Sequence, residues 1–114
     1  MLNKRHEIAQ AIANELLPSE KEVDSAIVRS AKLMIAVVEG RRAARVCLSI
    51  GQEGLDLVAQ ASVKLVVARG LLAEAHVAFR KTQSEVGLDA FNYGDAAECP
   101  PPTGLAVVPS VRAA

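Results

Sequence analysis

The sequence predicts an all-α protein: a short N-terminal helix and a long antiparallel helical hairpin, doubled into a four-helix-bundle-like dimer, with an irregular proline-rich C-terminal tail. Three observations carry this. Hydrophobic residues make up 51% of the 114 residues but aromatics only 3%, so the apolar material is Ala, Val, Leu and Ile. Ala and Leu are good helix formers, and small side chains let helices approach closely. Apolar residues recur at helical spacing along most of the chain. Four of the five prolines fall after residue 99.

The first helix is expected over about residues 4–17. Ile8, Ile12 and Leu16 stand four apart on one face, with Ala9 and Ala13 beside them. Pro18 then disfavours helical geometry at Leu17. Ser19 followed by Glu22 reads as a capping box that starts a second helix over 19–47, with Glu20, Glu22 and Asp24 at the positive end of its dipole. One apolar stripe runs through Val23, Ile27, Met34, Val37, Arg41 and Cys47, and a second line through Val28, Ala31, Ile35 and Val38.

Gly51 and Gly54 interrupt the pattern, and Ser49 with Gln52 reads as another capping box. A third helix is expected over 50–86. Val58, Leu65, Leu72, Phe79 and Val86 recur every seven residues, and Ala61, Ala68, Ala75 and Thr82 do the same three places on. That is a heptad seam of large residues beside small ones. Gly87 suits the position after the helix end. The helical domain is therefore residues 1–87 and the tail 88–114.

The second and third helices each carry an apolar line beyond their seam, the latter at Val63, Val66, Val67, Leu71 and Val77. A helix apolar over most of its circumference is normally covered on several sides, and a two-fold dimer is the commonest way to cover it. The predicted core and interface residues are Val23, Ile27, Met34, Val37, Val58, Leu65, Leu72 and Phe79.

Charge argues against a nucleic-acid partner. Thirteen Lys and Arg balance thirteen Asp and Glu, where phosphate recognition favours a basic excess. Arg41, Arg42 and Arg45 are the densest positive cluster. They read as the corner of the hairpin, with Arg45 near Glu53 and Arg42 near Asp56. The competing reading is an anion clamp. His76 stands on the line of Ser62, Arg69 and Gln83 bordering the seam. It reads as a polar layer, with Arg69, against Ser30 or Glu22, rather than as a catalytic base. Glu74 and His76 are two apart, so they lack the Glu-x-x-His spacing of di-iron bundles. With only two histidines no zinc set is expected, and no cofactor motif is present. Cys47 reads as a small buried side chain and Cys99, before three prolines, as an exposed thiol.

The N-terminus lacks the apolar core of a signal peptide. No charge-free apolar run approaches the ~20 residues of a membrane span, and a cytoplasmic protein is expected. The layout is loosely similar to many small Ala-rich helical-hairpin proteins and specific to no family. The patterning, without a catalytic motif, is read as a non-enzymatic homo-oligomeric interaction or scaffold protein. The alternatives are a phasin-like coat on an apolar surface, or a small-molecule or anion-binding regulator using Arg41, Arg69 and His76.

Overall fold

A computed structural model describes residues 1–88 and 92–94. It contains two helices: α1, Leu2–Ala44, of 43 residues, and α2, Gln52–Glu85, of 34 residues. Glu20 of α1 meets His76 of α2, and Asp24 meets Arg69. Position falls along α2 as it rises along α1, so the helices are antiparallel and the chain is a hairpin.

The expected break at Pro18 does not occur. The segments assigned to 4–17 and 19–47 are one helix, with Pro18 inside it. Ser19, expected to cap a new helix, instead donates its hydroxyl to the Glu15 carbonyl at 2.7 Å. A proline inside a helix lacks one hydrogen bond and crowds the carbonyl four residues back, costing about 3 kcal/mol relative to alanine. The reason the helix survives lies in its packing. The half-buried positions of α1 include His6, Ala9, Ala13, Leu16, Glu20, Val23, Ile27, Ser30, Met34, Val37 and Arg41. Their spacing alternates three and four throughout, with no slip at Pro18. The C-terminal half of α2 reaches across both sides of the proline: His76 bonds Glu20 beyond it, and Arg5, well before it, bonds the Val86 carbonyl.

The matching stripe on α2 is Leu55, Val58, Ser62, Leu65, Leu72, His76 and Gln83, all half-buried or buried. Beside the large line, the seam takes the line of Ser62 and His76. Of the small line, Ala68 and Ala75 are half-buried while Ala61 and Thr82 are exposed. Phe79, assigned to the core, is 43% exposed.

Both helices end in the same turn. Leu88 N–H donates to the Gln83 carbonyl and Gly87 N–H to Ser84, with Gly87 left-handed at φ 83. This is the Schellman arrangement. After Ala44, three residues short of the expected end, Val46 N–H reaches Arg41 and Arg45 N–H reaches Arg42. Here the left-handed residue is Arg45 at φ 56. Gly51, at φ 85, precedes α2 and makes no side-chain cap, so Ser49 and Gln52 do not form the expected capping box. Gln52 donates to Asp56 instead.

Among the described residues the only fully buried apolar side chain is Leu88, and neither helix buries an apolar residue completely. The proline run and Cys99 lie outside the described residues.

Two substitutions test this fold. Pro18→Ala should raise the unfolding free energy in urea by about 1–3 kcal/mol at unchanged helicity, because it restores a bond inside a continuous helix; no gain would mean that the helix breaks there. Arg45→Gly should add about 0.5–1 kcal/mol by relieving the left-handed backbone, and a loss would contradict the observed turn.

Candidate functional site: the polar seam and the uncovered flank

The seam is interrupted by polar residues at its middle and distal levels. His76 is 5% exposed, and its Nδ1 lies 2.6 Å from Glu20 Oε2, itself mostly covered. One heptad away, Arg69 donates Nε–H to Asp24 Oδ1 at 2.5 Å in a more exposed pair. The hydrogen bond to Asp24, and then its charge, hold the Arg69 proton more firmly than usual. Ser62 turns its hydroxyl to the Val58 carbonyl. The polar layer thus uses Glu20 and Asp24 where sequence analysis expected Ser30 or Glu22. That expectation followed from starting a helix at Ser19, which made Glu20 and Asp24 dipole partners. The signal was available in the spacing: Glu20 stands seven residues from Ala13 and from Ile27, on the seam itself.

At the distal end the chain turns back over α1. Gln83 Nε2 donates to the Leu88 carbonyl at 2.7 Å. His6 Nδ1 lies 2.6 Å from the Tyr93 hydroxyl, and a side chain at Gly94 would touch Leu17. This return encloses a groove of about 210 Å³ whose walls include Ile8, Ile12, Leu16, Phe79, Val86 and Leu88. The groove takes in His76 but neither Arg41 nor Arg69. Those three candidates stand at successive levels of the hairpin. By helix rise His76 is about 10 Å from Arg69, and Arg69, at the level of Asp24, is about 25 Å from the level of Arg41. They do not converge on one ligand.

The arginine cluster sits at the hairpin corner. Arg41 is half-buried and donates to the Val46 carbonyl at 3.2 Å. Among the described residues no ion pair joins Arg42 or Arg45 to Glu53 or Asp56. The expected pairs do not form: α1 stops at Ala44, and Arg45 takes the left-handed conformation that ends it. Cys47, expected to be buried, is exposed in the loop for the same reason. Among the described residues no group of three or more His, Cys, Asp or Glu could hold a metal ion. No helix there is long and apolar enough to cross a membrane.

Apolar residues also stand exposed on the flank beside the seam. On α1, Val28, Ile35 and Val38 are exposed, and so are Val63, Val66 and Val77 on α2, the last two-thirds bare. Leu33, Leu57, Val67 and Leu71 are exposed elsewhere on the hairpin.

No protein-family model, curated protein or solved structure matches this chain.

The two polar contacts should differ in weight. Glu20→Ala leaves the buried His76 ring without this acceptor and should cost about 1–3 kcal/mol in urea unfolding. Asp24→Ala should move the midpoint much less, because its pair is open to solvent. Equal effects would mean that burial does not set the strength of these layers.

Proposed function

We propose that this protein is a non-enzymatic helical interaction or scaffold module that works as a homo-oligomer. The observation that carries the reading is the mismatch between patterning and burial. Both helices bear long apolar lines, yet a lone hairpin buries none of their apolar side chains completely. A domain of this size normally needs a packed apolar core to offset the entropy of ordering its chain. A second hairpin supplies that core, as four helices enclose what two cannot.

The polar residues fit a structural part in such a module. His76, Arg69 and Arg41 each bond a neighbour within the hairpin. A covered polar contact such as Glu20–His76 sets register between helices. In this reading Glu20 and His76 hold α1 and α2 in one alignment, and the outer flanks carry the association.

Light scattering of the full chain at micromolar concentration should return about twice the 12.0 kDa chain mass. A monomer that melts cooperatively would overturn the proposal.

A further inference from the structure

The uncovered flank is itself a heptad seam, and its order says what covers it. On α2 the line runs Ala59, Val63, Val66, Gly70, Ala73, Val77, alternating four and three. On α1 it runs Val28, Ala31, Ile35, Val38 with the same alternation. Neither stretch contains a charge, whereas the outer faces carry Arg29, Lys32, Lys64 and Glu74. In an antiparallel pair, corresponding flanks of the two helices fall on the same side. Both lines lie on the same flank of their helix's seam, so they form one continuous face on the loop-proximal part of the hairpin. We infer that this face is the self-association surface, and that a second copy packs on it with the two hairpin loops at the same end. This rests on the homo-oligomer reading and names its surface and geometry.

Three observations support a second copy as the occupant. The first is size. The α2 line is about 27 Å long and the α1 line about 15 Å, which at about 10 Å per helix gives an outline on the order of 400 Å², roughly half the ~800 Å² per partner of a standard interface. The second is Gly70. A Cβ added there, as at Gly40 and Gly54, would meet nothing within 4 Å, so no contact among the described residues accounts for a glycine at the centre of a helix, where it costs about 1 kcal/mol relative to alanine. It stands in the middle of the outer line, where a partner backbone would approach. The third is charge. Arg42 stands one heptad beyond Ile35 and Asp56 one heptad before Val63. With loops together, α1 of one copy faces α2 of the other at matched levels. The α1 line then faces the loop-proximal half of the partner's α2 line, Ala59–Val66, and Arg42 of each copy faces Asp56 of its partner. With loops opposed, α1 would face α1, and Val38 would fall near the partner's Asp24.

The test uses the full chain in three measurements. Val63→Glu with Val66→Glu should abolish the dimer in light scattering. Gly70→Leu, whose Cβ would meet no atom of its own hairpin within 4 Å, should weaken it by about tenfold or more while leaving helicity intact. Leu57→Gln with Leu71→Gln, on the other flank, should leave the dimer unchanged. In a Cys99→Ser chain, spin labels on Cys47 should lie within about 30 Å of each other, against about 45 Å or more with loops opposed. A monomeric native chain would overturn the homo-oligomer reading itself. A native dimer that survives both seam variants, or dissolves with the control pair, would overturn the assigned face alone. A long Cys47 distance in a dimer that the seam variants break would overturn the loops-together geometry.

Discussion

The hairpin depends on a single interface, the seam in which α1 and α2 pack antiparallel through alternating steps of three and four residues. That alternation runs from His6 to Arg41 without a slip, and it explains why Pro18 does not divide the helix. Packing on both sides of the proline offsets the local penalty, because the stripe before it and the stripe after it face the same neighbour. Local preference and tertiary demand conflict at one residue, and the tertiary demand prevails.

The same seam leaves one side of each helix uncovered. Two helices in contact cover only one side of each other, and this pair places Glu20, Ser62, Arg69 and His76 on or beside the side it covers. Polar layers specify alignment, but they add little net stability beside apolar burial. The valines that would supply that burial lie on the outer flank. In the proposed reading the polar contacts set register within the chain and the apolar flanks carry association between chains. The arginine corner is a helix terminus: Arg41 and Arg42 occupy the last turn of α1, where the dipole favours cations.

Much of this was legible in the residues. The helical class, the lack of a membrane-crossing helix among the described residues and the turn before Gln52 follow from periodicity, charge placement and glycines. The seven-residue line of Val58, Leu65 and Leu72 could be read directly. What misled was local chemistry taken without phase. Pro18 and the Ser19–Glu22 pair are stop and start signals, and only the unbroken spacing from Ala13 to Ile27 argues against them. Reading a start at Ser19 removed Glu20 and Asp24 from the seam and hid the partners of His76 and Arg69. The ion pairs expected for Arg42 and Arg45 were hidden differently. They depended on where α1 ends, and a left-handed arginine at position 45 is not foreseeable from composition. The His6–Tyr93 contact links positions 87 apart, and no periodicity connects them.

The central claim is that the hairpin is completed by a second copy. Thermal unfolding followed by circular dichroism from low to high micromolar concentration tests it most directly, because a folded state stabilised by association melts at a temperature set by concentration. The account predicts that Tm rises steadily with concentration in a single cooperative transition. A sharp transition whose Tm is the same at every concentration would contradict it.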